Sequence, residues 1–213
     1  MRLYGIKANF LGDSITEGCG TTDATRTFHA LLGLRHNMII RNYGIGGTRI
    51  ARQTNLSTEW PQMDRDFCMR IEDLEADADL VVIFGGTNDY GHGDAPFGEE
   101  GDRTPETFIG ACHYLFRRAL ERFPEARIVV LTPLHRDNEG KPDMKGRTLK
   151  EYVDVIRNVA EKYSLPVIDL WAKSGIQPEI PVICEKYCPD GLHPNDLGHV
   201  RMADVIEGEL LAL

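Results

Sequence analysis

The chain has 213 residues, 42% of them hydrophobic and 8% aromatic, a composition that supports a folded core and argues against disorder. A chain of this length suits one domain, so we expect residues 1–213 to form a single unit. The 33 acidic against 24 basic side chains leave a formal charge of −9, which disfavours nucleic acid or an anionic membrane surface as the main partner.

The N-terminus and the cysteines favour a cytoplasmic protein. Arg2 and Lys7 are not followed by the apolar segment of a signal peptide, and no apolar stretch approaches the roughly 20 residues of a membrane span. The 5 irregularly spaced cysteines favour free thiols over a disulfide framework. For Cys184 and Cys188, a local disulfide and a zinc half-site are the alternatives, although no second pair with ligand spacing accompanies them. We therefore expect no metal and no cofactor.

Strand-like and helix-like segments alternate along the chain. Apolar runs that end before a glycine predict strands at 6–11 and 38–43, and the almost wholly apolar run at 79–84 is typical of a buried parallel strand. Two further strands are predicted at 127–131 and 167–170.

Helices are predicted between the strands, where apolar residues recur every three or four positions. The predicted helices cover 28–34, 61–74, 105–123, 149–163 and about 194–211. Pro61 and Pro105 suit the first turn of a helix, and Thr25 or Thr27 suits the cap of the first one. In the last helix, the residues expected to face inward are Leu197, Val200, Ala203, Ile206 and Leu210.

Two long connections are also predicted, and the alternation of strands with helices indicates the fold class. Residues 91–103, rich in Gly, Asp and Glu, and the stretch from 171 to 189 are expected to be loops. Strands separated by helices predict an α/β fold, with a parallel five-stranded sheet and helices on both faces. The pattern leaves the strand order open.

Polar residues that can do chemistry follow the predicted strands. Ser14 comes directly after Gly12 and Asp13, where the first strand ends. Asn88 follows the third strand, and His193 lies in the stretch after the fifth. Because parallel strands point their C-terminal ends to the same edge of the sheet, we expect these residues to meet there. Ser14 as a plain turn or N-cap residue is the alternative.

His193 is the candidate general base for Ser14, since serine is a poor nucleophile until a base takes its proton. The spacing from Asp190 to His193 can turn the carboxylate back onto the imidazole and set its tautomer. The same two residues could instead cap the last helix or bind a metal. Ester hydrolysis also needs donors for an oxyanion, and the candidates are the Ser14 amide, the Gly47 amide and the Asn88 side chain.

The glycine cluster offers more than one candidate oxyanion donor, and three further side chains are candidates for substrate binding. Gly44 and Gly46 compete with Gly47 as the donor, and Arg49 stands where a dinucleotide-binding fingerprint would need another glycine. We expect the substrate contacts to come from Arg49, Tyr90 and Trp171.

These four segments together resemble the SGNH (GDSL-type) hydrolase family. The resemblance lies in Gly12-Asp13-Ser14, Gly47, Gly86-Thr87-Asn88-Asp89 and Asp190-Gly191-Leu192-His193-Pro194, in that order. It implies a flavodoxin-like three-layer α/β/α sandwich and hydrolysis of carboxyl esters. It also implies that Ser14, Asp190 and His193 form the catalytic triad, and that Ser14, Gly47 and Asn88 form the oxyanion hole. Ile15 replaces the leucine of the family's first motif.

The absence of a long apolar lid in the sequence favours a short, polar substrate. We expect removal of acetyl or other short acyl groups from carbohydrate or small-molecule esters. A lysophospholipase or thioesterase is the alternative, as is an acyltransferase that uses the same triad with an alcohol acceptor. A binding module without turnover would be expected to lack a triad residue, and none is missing. An oligomer is compatible with the sequence.

Overall fold

The computed structural model describes residues 1–213 and is built on a sheet of five parallel strands. The strands are β1 (Lys7–Gly12), β2 (Ile39–Gly44), β3 (Leu80–Phe84), β4 (Arg127–Leu131) and β5 (Val167–Ile168). They lie in the order β2-β1-β3-β4-β5. The chain first moves from β1 to β2 and then returns past β1 to β3. The loops after β1 and β3 therefore diverge at a topological switch point, where open α/β sheets bind their ligands.

Helices cover both faces of the sheet, which makes the three-layer α/β/α sandwich expected from the sequence. The helices are α1 (Ser14–Glu17), α2 (Phe28–His36), α3 (Phe67–Arg70), α4 (Thr87–Gly91), α5 (Phe108–Arg122), α6 (Leu149–Lys162), α7 (Leu170–Lys173), α8 (Pro181–Tyr187) and α9 (Asp196–Ala212). Apolar residues of α3, α5 and α6 form the core on one face, and those of α2, α7 and α9 form the core on the other. None of the helices combines the length and the apolar composition that a membrane crossing requires.

The strands feed both cores because their side chains alternate between the two faces. In β3, Val81 and Ile83 enter the core of α3, α5 and α6, whereas Leu80, Val82 and Phe84 enter the opposite one. All five of these side chains are buried, as expected for a central parallel strand covered on both faces.

Two predicted helices have different bounds in the structure. The helix predicted over 61–74 is divided into a 3₁₀ turn at Pro61–Asp64, α3, and a second 3₁₀ turn at Ile71–Asp73. The division occurs because Arg65 leaves the helical conformation (ψ 83°) and the Asp66 carboxylate starts α3 by accepting the Met69 amide at 2.7 Å. The helix predicted from Pro105 begins at Phe108, because Thr107 caps it through the Gly110 amide.

The C-terminal part also departs from expectation. The stretch from 171 to 189 contains α8 and most of α7 instead of being a loop throughout. In α9, Ala203, Ile206 and Leu210 face inward as predicted, but Leu197 and Val200 are exposed. Their expected places are taken by His199 and Met202, which are fully buried, so the inward face includes a polar residue that an apolar pattern does not register.

Two buried histidines connect α9, α2 and the start of the chain. The His199 ring stacks on Phe28, and its Nδ1 accepts the Phe28 amide at 3.0 Å. His29 Nε2 bonds to the carbonyl of Thr16 at 2.9 Å. Burial lowers the pKa of each histidine to about 4, so both are neutral at pH 7.

We expect His199→Asn, which keeps an acceptor near the Phe28 amide, to change how stability depends on pH. The pKa of His199 is about 4 in the folded protein, against about 6.5 in an unfolded chain. Between these two pH values the folded state therefore binds fewer protons than the unfolded state. As the pH falls through that window, the free energy of unfolding decreases by roughly 3 kcal/mol because of this histidine. Urea unfolding of wild type and variant should show a stability difference that shrinks from pH 7 to pH 4.5. A difference independent of pH would contradict this account.

Candidate active site

Ser14 stands at the tight turn between β1 and α1. Asp13 caps α1 by accepting the Ile15 amide at 3.0 Å. Burial raises the pKa of the Asp13 carboxyl to about 6. A side chain at Gly12 would begin 1.9 Å from the Thr16 hydroxyl, so the turn needs glycine there. The Ser14 amide, as the first of the helix, donates to no protein acceptor.

Three residues form a continuous hydrogen-bonded chain at this turn. Ser14 Oγ lies 3.0 Å from His193 Nε2, although the two residues are 179 positions apart in sequence. On the other side of the ring, Nδ1 lies 2.7 Å from Asp190 Oδ2. Asp190 Oδ1 accepts the amides of Leu192 and His193 at 2.9 and 2.7 Å. One carboxylate oxygen thus shapes the loop while the other orients the imidazole.

The two ends of the chain are held together beside this site. At Gly20, with φ +93°, a side chain would begin 2.5 Å from the Pro194 carbonyl. Thr22 binds Asp196 through its amide at 2.9 Å and its hydroxyl at 2.8 Å. These contacts bring the segment after Ser14 against the segment that follows His193.

At the end of β2 and in the loop after it, three glycine amides differ in whether they have a partner. The Gly44 amide donates to Asn42 Oδ1, and the Gly46 amide donates to Glu17 Oε2, both at 2.8 Å. The Gly47 amide donates to no protein acceptor. Gly47 has φ +73°, a backbone conformation that favours glycine, and a side chain there would displace the end of Met63.

The loop after β3 is joined to the Gly47 loop by adjacent side chains of α4. Asn88 Nδ2 donates to the Thr48 carbonyl at 3.1 Å, which places the amide next to Gly47. The Asp89 carboxylate accepts the amides of Ile50 and Ala51, both at 2.9 Å. Burial raises the pKa of Asp89 to about 6, and the two amides only partly offset that effect.

The buried Arg70 connects the ends of β1 and β2 with the Gly47 loop. It is 2% exposed, and its guanidinium donates to the Gly12 carbonyl at 3.1 Å, to the Thr48 hydroxyl at 2.9 Å and to the Tyr43 carbonyl. The ends of β1 and β2 and the Gly47 loop therefore share one donor group. Burial lowers the pKa of Arg70 to about 10, which leaves it charged at neutral pH.

The three side chains expected to contact substrate have different surroundings. Arg49 is buried, donating to the Gly47 carbonyl at 3.0 Å and to Asp64 at 2.8 Å. Tyr90 is also buried, with its hydroxyl donating to two backbone carbonyls of the 138–141 segment. The Trp171 ring packs against His135 at an interplanar angle of 36°, with ring centroids 3.8 Å apart. None of the three side chains hydrogen-bonds to the Ser14–His193–Asp190 chain, and their role in binding stays a prediction.

Arg70 and Asp89 support the candidate site, and the sequence assigned no role to either, although Asp89 belongs to the third motif. The usable signal for Arg70 was a charged residue between the apolar Phe67 and Ile71 of an otherwise inward-facing segment. For Asp89 it was a second acidic residue next to Asn88 at the end of a buried strand. No group of three or more His, Cys, Asp or Glu side chains is arranged to hold a metal ion.

The family comparison agrees with this geometry. The protein matches the GDSL-like Lipase/Acylhydrolase family over residues 10–201, a range that includes Ser14, Asp190 and His193. The chain belongs to this family. As a GDSL-like acylhydrolase, it is a carboxylic ester hydrolase. No curated protein matches it.

Solved structures extend the likeness to the whole fold of this acylhydrolase. One with 33% identity covers 100% of the chain and 99% of its own length, with a TM-score of 0.88. A protein from Lactobacillus plantarum has 27% identity, 98% coverage of both chains and a TM-score of 0.85. Acetylxylan esterase Axe2 from Geobacillus stearothermophilus has 24% identity, with 99% of this chain and 96% of that chain covered, and a TM-score of 0.66.

Arg70→Met should weaken both the fold and the site. The substitution leaves three buried oxygens without their donor, so we expect the free energy of unfolding to fall by roughly 3 kcal/mol and ester hydrolysis to fall at least about tenfold. The matched control is Arg65→Met, since Arg65 is exposed and pairs with Asp73 on the surface. We expect that control to change stability by less than about 0.5 kcal/mol. Equal effects of the two substitutions in urea unfolding would contradict the assigned role of Arg70.

Proposed function

We propose that Ser14 is the nucleophile of an acyl-enzyme mechanism, with His193 as general base and Asp190 as the group that orients it. The observation that carries the proposal is the unbroken hydrogen-bonded chain, with 3.0 Å from Ser14 Oγ to His193 Nε2 and 2.7 Å from Nδ1 to Asp190. His193 takes the serine proton as Oγ attacks the ester carbonyl and returns it to the leaving alcohol. Water, activated by the same ring, then releases the acyl group.

Asp190 supports this role through its ionised state. Burial opposes ionisation, but the bonds from the His193 amide and ring and from the Leu192 amide outweigh it and lower the pKa of Asp190. A carboxylate that accepts a bond from Nδ1–H keeps the proton on that nitrogen, which leaves Nε2 free to accept from Ser14. The same negative charge stabilises the imidazolium that forms during attack.

The proposed oxyanion hole consists of the Ser14 amide, the Gly47 amide and the Asn88 side chain. Its support is the pattern of partners: both amides lack a protein acceptor, whereas those of Gly44 and Gly46 are engaged elsewhere. Asn88 uses one N–H for Thr48 and has a second N–H to offer. Donors fixed in advance stabilise the charge that develops on the attacked carbonyl oxygen.

For the substrate, we propose acetyl or other short acyl esters of carbohydrates or small molecules. A cleft of about 500 Å³ lies beside α4, and we call it the Arg136 cleft. Its lining residues are Tyr90, Gly91, His92, Gly93, Arg136, Asp137, Asn138, Pro142, Asp143, Met144 and Lys145. This mostly polar lining suits a hydroxylated alcohol better than a long acyl chain. The structural likeness to an acetylxylan esterase is in keeping with this preference.

The experiment is a substrate panel measured on wild type and on Ser14→Ala. We expect wild type to release acetate from O-acetylated xylo-oligosaccharides with a higher kcat/KM than it shows for lysophosphatidylcholine or an acyl-CoA thioester. Ser14→Ala should lose activity on every ester by a factor of about 1000 or more while it retains its thermal unfolding temperature.

Other results of this panel would identify a different activity. A preference for the lipid or the thioester would indicate a lysophospholipase or thioesterase. Transfer of acetyl to an added sugar, in excess of acetate release, would indicate an acyltransferase. Near wild-type turnover by Ser14→Ala would refute the proposed nucleophile.

A further inference from the structure

The Arg136 cleft borders the proposed active site along two walls. One wall is the end of α4, the helix that begins at Thr87 and carries Asn88. The other is the segment after β4, in which the Asp137 amide donates to the Gly191 carbonyl at 2.8 Å. Gly191 directly follows Asp190, so both walls continue into the residues around Ser14. The alcohol part of an ester bound at Ser14 can therefore extend into this cleft.

Arg136 is a half-buried cation in the cleft wall, and no carboxylate lies within 4 Å of its guanidinium, although Asp13, Asp137 and Asp190 are near enough to act on its charge. Its Nη1 donates to the carbonyl and hydroxyl oxygens of Thr87, both at 3.2 Å, and its Nε has no partner. The guanidinium also lies 5.7 Å from the centre of the Tyr90 ring. Burial lowers the pKa of Arg136, and the nearby Tyr90, Asp13, Asp137 and Asp190 offset that effect only in part. Its Nη2 has no protein acceptor.

Two other buried or half-buried arginines form direct ion pairs. Arg49 pairs with Asp64 at 2.8 Å, and Arg157 pairs with Asp169 at 2.7 Å. Arg70 is enclosed by backbone and hydroxyl oxygens and faces no cleft. Arg136 thus combines a partly desolvated charge, a free donor and an adjacent open space, and a half-buried charge of this kind is usually paired with an opposite one.

Of the two acidic residues of the cleft, Asp143 is engaged by other donors, whereas Asp137 lies near Arg136 without forming an ion pair within 4 Å. The Asp143 carboxylate accepts the Tyr152 hydroxyl at 2.5 Å and the amides of Lys145 and Arg147. It also pairs with the Lys145 ammonium at 3.3 Å. The Asp137 carboxylate lies against the α-carbon of Gly191. His92, which lines the same cleft, makes no side-chain hydrogen bond within the protein and is a second donor.

We propose that the Arg136 cleft binds an anionic substituent, a carboxylate or a phosphate, on the alcohol part of the ester. Such a group would form the direct ion pair that Arg136 lacks, in a geometry that a guanidinium recognises well. The inference rests on the proposed hydrolysis at Ser14 and adds to it the charge class of the substrate. The physiological ester is then an acylated sugar acid or sugar phosphate instead of a neutral sugar.

The test compares matched acetyl esters that differ only in charge. The probes are methyl glucoside, its 6-carboxylate (the methyl glycoside of glucuronic acid) and its 6-phosphate, each acetylated at the same hydroxyl, with p-nitrophenyl acetate as a sugar-free reference. Wild type should show a kcat/KM about tenfold or more higher for a charged sugar than for the neutral one, mainly through KM, since one charge-assisted hydrogen bond supports a factor of this size. The charged probe that gains the advantage distinguishes carboxylate from phosphate.

Arg136→Gln should bring this ratio to about 1, and Arg136→Lys should retain part of it. The control is Arg117→Gln, which removes the same charge from an exposed arginine of α5 paired with Glu121, and it should keep the wild-type ratio. Equal kcat/KM for charged and neutral sugars in wild type would overturn this inference. If the same enzyme hydrolysed p-nitrophenyl acetate, the proposed function would still stand. An equal loss on all sugars in Arg136→Gln would also overturn the inference, because that result indicates a purely structural arginine. Failure of wild type on every ester, including p-nitrophenyl acetate, would overturn the proposed function itself.

Discussion

The site depends on the buried guanidinium of Arg70. Parallel strands end at a common edge, but the loops that follow them are not joined by the backbone hydrogen bonds that join the strands. Arg70 connects them instead, by donating to the last residue of β1, to the end of β2 and to Thr48. Its charge also lies close enough to lower the pKa of the buried Asp13 carboxyl against the larger effect of burial. One cation thus supports both the turn that presents Ser14 and the loop that presents the Gly47 amide.

The remaining loops are attached by carboxylates that accept backbone amides. Asp89 holds the Gly47 loop against α4 through Ile50 and Ala51. Asp190 shapes its own loop with one oxygen and orients His193 with the other. Each connection has an acidic side chain where amides would otherwise lack partners. The proposed triad is therefore assembled from segments at opposite ends of the chain without any disulfide.

Much of this architecture was predictable from the sequence, because apolar runs bounded by glycine define the strands and their ends. The strand order was not, since periodicity carries no information about which strands are neighbours. The helix α8 was missed because none of its residues is buried, and so it has no apolar face to produce a pattern. Leu197 and Val200 were expected to face inward because they are apolar. They are exposed because the polar His199 lies on the buried face of α9.

The residues proposed for chemistry were expected to meet, and the structure brings Ser14, Asp190 and His193 into one hydrogen-bonded chain. The sequence alone could not choose among Gly44, Gly46 and Gly47, because the choice depends on which amides are already engaged. Arg70 escaped notice because a charged side chain is expected on the surface. Arg136 was not singled out because the absence of a direct ion pair is visible only in three dimensions.

The most direct test of the central claim is covalent labelling with diisopropyl fluorophosphate, followed by peptide mass spectrometry. A serine activated by His193 should form the phosphoryl adduct on the peptide that contains Ser14, and His193→Ala should lose that adduct although Ser14 is still present. An adduct on a different serine, or equal labelling of Ser14 in wild type and His193→Ala, would contradict the account.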